Sequence, residues 1–134
     1  MITSSEKKSV LLLDDDKFLL DMYSMKFVQQ GFDVQAFLSA KDALQALRGG
    51  FVPDIILFDL VMPEHDGMSF IVTMQEEKLA SEAIKIALTN QYDDVEREKV
   101  LELGADQCIL KASAIPSEVV NIVIQAISAK RKAG

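Results

Sequence analysis

Four stretches of this chain are apolar almost without interruption, and each runs straight into a polar residue. They are Val10–Leu13, Ile55–Phe58, Ile84–Leu88 (broken only by Lys85) and Cys108–Leu110. Continuous rather than alternating hydrophobicity predicts strands buried on both faces, as in a parallel sheet covered by helices. Residues 33–37 instead alternate, with Val34 and Ala36 on one face and Gln35 between them, which suits a less buried strand. The expected strands are therefore β1 (about 8–14), β2 (33–37), β3 (54–59), β4 (83–89) and β5 (106–110).

The segments between them carry helical spacing. In α1 (17–30), Leu19, Met22, Tyr23 and Phe27 repeat at three or four residues before Gly31, a plausible C-terminal stop. Helix α2 opens on a Ser39-x-x-Asp42 capping signature, carries Ala43, Leu44 and Leu47, and ends at Gly49-Gly50. Helix α3 (68–78) turns Phe70, Ile71 and Met74 inward. Helix α4 (93–103) is charged, with Val95, Val100, Leu101 and Leu103. Pro116 opens α5 (117–129) at a position where proline is tolerated. In α5, Val119, Ile122, Val123, Ala126 and Ile127 form a core stripe. Val120 and Ile124 make a second line, either a broad face covering the sheet edge or a contact surface. Strict alternation of strand and helix predicts an α/β fold, a parallel sheet with helices on both faces.

Composition narrows this picture. The 134 residues suit one domain, expected over 8–129 between an N-terminal tail (1–7) and a basic C-terminal tail (130–134). A net charge of −7 disfavours direct nucleic-acid binding, and Lys130-Arg131-Lys132 is better read as complementing a helix dipole. No apolar run is long enough to span a bilayer, and the N-terminus lacks a signal-peptide core. No membrane association and a cytoplasmic location are the expectation. The lone Cys108 offers no disulfide framework and fits a reduced setting.

The chemistry lies where the strands end. β1 stops at Asp14-Asp15-Asp16, β3 at Asp59, β4 at Thr89-Asn90 and β5 at Lys111. In open parallel sheets the carboxyl edge is where ligands bind. Singly, each ending has a plainer explanation: an acidic helix start, a β-branched strand residue, a solvated lysine. Together they describe a site. Converging carboxylates repel unless a cation joins them, and an all-oxygen donor set favours Mg²⁺ over zinc. A hydroxyl and an ammonium beside them suit phosphoryl transfer, with an aspartate able to serve as nucleophile.

LLLDDD, IILFDLVMPEHDG, IALTN and LELGADQCILK, in this order, resemble the receiver domain of bacterial two-component response regulators, over about residues 9–129. The resemblance implies a flavodoxin-like, doubly wound, five-stranded sheet of order 2-1-3-4-5 with five helices. It implies that Asp59 is the phosphoacceptor. Asp15, Asp59 and the Val61 backbone carbonyl would bind Mg²⁺ directly, and Asp14 mainly through water. Thr89 would hydrogen-bond the phosphoryl group, and Lys111 would pair with the carboxylate and later the phosphate. Met62-Pro63 and Asp66-Gly67 would shape the loop that presents Val61, and Asp16 would serve only the helix start. His65, in the same polar turn, is expected to be exposed and without a role in metal binding or phosphorelay.

The implied behaviour is Mg²⁺-dependent self-phosphorylation and slow autodephosphorylation. The phosphoryl source would be a histidine kinase or phosphotransfer protein. Output would pass to a downstream protein effector or a homodimer through the α4–β5–α5 face. Three positions depart from the family pattern. Cys108 stands where an aromatic ring is usual, Ala112 replaces the proline after the lysine, and Asn90 replaces a small residue. A non-proline cis bond is costly, so a trans Lys111-Ala112 peptide is expected. These departures motivate a competing reading, a pseudo-receiver scaffold that signals without phosphate. An aspartate-nucleophile phosphatase is disfavoured, because Val61 occupies the place of the second acid.

Overall fold

The computed structural model describes residues 8–60, 62, 67–89, 94–111 and 115–133, the last four by backbone alone. Five strands and five helices alternate: β1(Ser9–Leu13), α1(Lys17–Gln29), β2(Asp33–Phe37), α2(Ala40–Arg48), β3(Ile55–Asp59), α3(Gly67–Glu77), β4(Ile84–Thr89), α4(Asp94–Glu102), β5(Gln107–Leu110) and α5(Pro116–Ala133). All pairings are parallel and the strand order is β2-β1-β3-β4-β5. This is the flavodoxin-like doubly wound order, reversing between β1 and β3.

The continuous apolar runs sit centrally: every residue of β3 and of β4 is buried. β2, whose pattern alternates, is an edge strand with exposed and half-buried residues, and Ala36 is exposed beside half-buried Val34. Each apolar strand serves two cores because successive side chains point to opposite faces. Leu11, Leu13, Ile56, Phe58 and Ala87 pack beneath α2, α3 and α4, with Phe58 and Phe70 rings 5.6 Å apart. Val10, Leu12, Leu57, Ile86 and Leu88 pack against α1 and α5. Lys85 occurs in a buried strand because its ammonium donates to the Ala80 and Ala83 carbonyls at 3.0 and 3.3 Å.

The helices differ in detail from their sequence patterns. In α1 the fully buried residues are Leu20, Tyr23 and Phe27, while Leu19 and Met22 are half-buried, so the stripe is rotated by one residue. Of the three apolar residues of α4, only Val100 is buried, while Val95 and Leu101 face solvent; Leu103, expected in the helix, follows its end and packs against the core. In α5 the second apolar line belongs to the core: Val120 is buried and Ile124 packs against the same cluster. The helix also continues to Ala133, four residues past its expected end, so the basic stretch expected as a tail continues it. Among the described residues no helix is long and apolar enough to cross a membrane.

Candidate functional site

β1, β3, β4 and β5 present Asp14, Asp59, Thr89 and Lys111 at the carboxyl edge of the sheet. Register explains why. Leu13 pairs with Phe58, and Asp59 with Leu88, so Asp14 and Asp59 leave adjacent strands at one level. Thr89 stands one position beyond the partner of Asp59 and pairs with Leu110, the residue before Lys111.

Asp14 and Asp59 are 1% and 2% exposed, a costly setting for carboxylates without compensation. Lys111 supplies part of it. Its Nζ lies 2.8 Å from Asp14 Oδ2 and 3.2 Å from Asp59 Oδ2. Burial alone would depress the lysine pKa, but hydrogen bonding and charge from Asp14 and Asp59 outweigh it and raise it above the ordinary value. Asp14 Oδ1 accepts the Asp16 N–H at 2.9 Å. Asp14 Oδ2 is buried, with the Lys111 ammonium as its ion-pair partner at 2.8 Å. Asp16 turns away to cap α1, accepting the Leu19 N–H at 3.2 Å.

Asp15 is exposed but belongs to the same group. One carboxylate oxygen from each of Asp14, Asp15 and Asp59 lies within 4.8 Å of the others. Three hard oxygen donors, two of them on buried carboxylates, fit a hard divalent cation. A single lysine cannot neutralise three carboxylates, so a cation is electrostatically welcome there.

Backbone bonds hold the residues that flank the segment after β3: Leu60 N–H donates to Leu88 O at 2.8 Å, and Gly67 N–H to Leu60 O at 3.1 Å. Met62 is buried in the cluster that holds Phe58 and Phe70. Val61, Pro63, His65, Asp66, Asn90 and Ala112, named from the sequence, lie outside the described residues. One contact at the site has no mark in the sequence pattern. Thr89 Oγ1 donates to Glu96 Oε1 of α4 at 3.2 Å, although Glu96 looked like one more charge on a polar helix. Tyr23 had been assigned only to the core. Burial raises its phenol pKa, and the charges of Lys111, Asp14 and Asp59 also reach it.

Residues 10–123 match the response regulator receiver domain family. The chain belongs to that family. A curated relative, the transcriptional regulatory protein CpxR homolog of Haemophilus influenzae, is 35% identical over 102 residues, 76% of this chain and 43% of the relative. The chain thus spans less than half the length of that relative. Among solved structures, a CheY-like receiver domain protein from Methanospirillum hungatei superposes with a TM-score of 0.84 at 23% identity, covering 96% of this chain and 99% of that one. The BeF3-activated DrrB receiver domain gives 0.77 at 26%, covering 91% and 98%. Chemotaxis response regulator CheY4 of Vibrio cholerae gives 0.80 at 19%, covering 89% and 98%, a likeness of fold alone.

Proposed function

We propose that this receiver domain is phosphorylated on Asp59 and signals through protein contacts. The observation that carries the reading is the Lys111 ammonium set between the buried Asp14 and Asp59 carboxylates, beside Asp15, at the sheet's carboxyl edge. A carboxylate oxygen of Asp59 attacks the phosphorus of a phosphohistidine on a histidine kinase or phosphotransfer protein. The new O–P bond replaces the P–N bond, and the imidazole leaves. Lys111, already 3.2 Å from the acceptor carboxylate, balances charge on that oxygen and then on the phosphate. The Thr89 hydroxyl, ending the adjacent strand, supplies a hydrogen bond to a phosphoryl oxygen. The Asp14, Asp15 and Asp59 carboxylates would hold Mg²⁺, with Asp14 acting mainly through water and the family resemblance adding the Val61 carbonyl, and the ion would supply positive charge to the transferring phosphoryl group.

Slow self-dephosphorylation completes the cycle. Output by way of α4, β5 and α5, to an effector or a second copy, is supported by Val95 and Leu101, exposed on α4. The net charge of −7 argues against direct nucleic-acid contact. The test is incubation with Mg²⁺ and acetyl phosphate followed by intact mass. One phosphate adduct, lost in Asp59→Ala, is expected. No adduct, or one that survives the substitution, overturns the proposal and favours a scaffold that works without phosphate.

A further inference from the structure

The hydrogen bond between Thr89 and Glu96 joins the site to α4. Thr89 shares a face of β4 with Ala87, whose register partner on β5 is Cys108, and both pack beneath α2, α3 and α4. Cys108 is small, and no ring stands at its position between the strand ends and α4. The α4 carboxylate reaches this face: Glu96 is half-buried, accepts from the Thr89 hydroxyl at 3.2 Å, and its charge is felt at the Cys108 thiol.

A threonine hydroxyl has one proton to donate. It cannot point that proton at Glu96 and at a phosphoryl oxygen on Asp59 together. We infer that Glu96 is a positioning residue for Thr89: its carboxylate holds the hydroxyl in a resting orientation that must be given up when Asp59 carries a phosphoryl group. This inference rests on the phosphoacceptor reading above. The phosphoryl group brings several charged acceptor oxygens and wins the competition by charge. Glu96 then gives up this hydrogen bond at the strand end, which changes the contact between the first turn of α4 and β4. The resting and phosphorylated states thus differ in a contact of α4 itself, with no aromatic rotation at position 108.

The probe is beryllofluoride with Mg²⁺, a phosphoryl mimic, titrated by fluorine NMR onto the whole chain. Glu96→Ala and Glu96→Gln are compared in the Thr89 background and in Thr89→Val, which keeps the side-chain shape but removes the hydroxyl. With Thr89 present, Glu96→Ala should tighten binding by about tenfold, the scale of one charge-assisted hydrogen bond no longer surrendered. Glu96→Gln, a neutral acceptor, should fall between it and wild type. In Thr89→Val both changes should alter affinity less than about twofold, because there is no proton to compete for.

A general structural or electrostatic role would persist in both backgrounds, and that result overturns the inference, as does a flat Glu96 series. Thermal melts check folding, and the near-isosteric glutamine carries the comparison if alanine unfolds the helix. If wild type neither gains a phosphate adduct nor binds beryllofluoride, the phosphoacceptor reading fails and this inference falls with it. Wild-type binding with no Glu96 effect overturns this inference alone.

Discussion

Gly67→Ala would test how tightly the phosphoacceptor strand is held by the helix that follows it. Gly67 opens α3, and it is not among the glycines with positive φ, so its backbone would accept alanine. The difficulty is proximity. A Cβ there would overlap the Asp59 carbonyl oxygen and sit 2.7 Å from Leu60 Cα, where ordinary contact begins at 3.4 Å. Both are backbone atoms, and the Gly67 N–H to Leu60 O hydrogen bond ties the same segments together. No rotamer change relieves the overlap, so α3 and the end of β3 must part by about 1 Å. Overpacking of this kind costs roughly 2–3 kcal/mol.

For a domain of this length, that lowers Tm by about 10 °C. Moving Asp59 by this distance should also slow adduct formation from acetyl phosphate by on the order of 100-fold. Gly31→Ala provides the contrast. Gly31 has φ of 90° with open space around its Cβ position, so backbone strain should cost about 1 kcal/mol and leave the rate alone. Circular-dichroism melts and intact-mass time courses measure both effects. A Gly67→Ala protein with Tm within about 2 °C of wild type and a rate within about twofold would refute the close-approach reasoning.

Three further outcomes follow from the site. Mg²⁺ at about 100 times its Kd should stabilise the protein by roughly 2.7 kcal/mol, and Asp15→Asn should abolish most of that gain in thermal melts. Equal gains in both proteins would remove Asp15 from the cation site. Tyr23, through burial, and Lys111, through its carboxylates against burial, have folded pKa values raised above 10.0 and 10.5. Both bind their protons more tightly when folded, so their stabilising contribution is complete below about pH 10 and declines as pH rises through the folded values. Urea denaturation across that range should show the decline, reduced in Tyr23→Phe; stability flat to about pH 11 would contradict it. Burial pushes the Cys108 thiol pKa up, with Arg97 opposing and Glu96 reinforcing. Iodoacetamide should therefore alkylate it at about pH 8 more than tenfold more slowly than in the urea-unfolded chain, and equal rates would contradict its burial.

The helix patterns show where local reading reaches its limit. Ser39 caps α2 and Asp16 caps α1, because capping depends on a residue and its neighbours three places on. The orientation of a helix on the sheet depends on what it packs against. Leu20 displaced Leu19 and Met22 in the α1 stripe, and Val95 and Leu101 of α4 proved exposed. Val120 and Ile124, ambiguous between a core and a contact surface, were resolved by the breadth of sheet that α5 covers.

What the sequence determined by itself was the set of strands, the helices between them, and the chemistry with which each strand ends. Those are local properties: continuous hydrophobicity makes a buried strand, and a charge must come where the strand emerges. The carboxyl edge that gathers Asp14, Asp59, Thr89 and Lys111 follows from that pattern once the strands are parallel. Only the tertiary structure decided the distances. Lys111 reaches Asp59 across 52 residues of chain because β1, β3, β4 and β5 are adjacent and in register. The bond between Thr89 and Glu96 was likewise decided there, since it depends on how α4 is rotated over β4, and a helix of mostly polar residues leaves no local mark of that rotation.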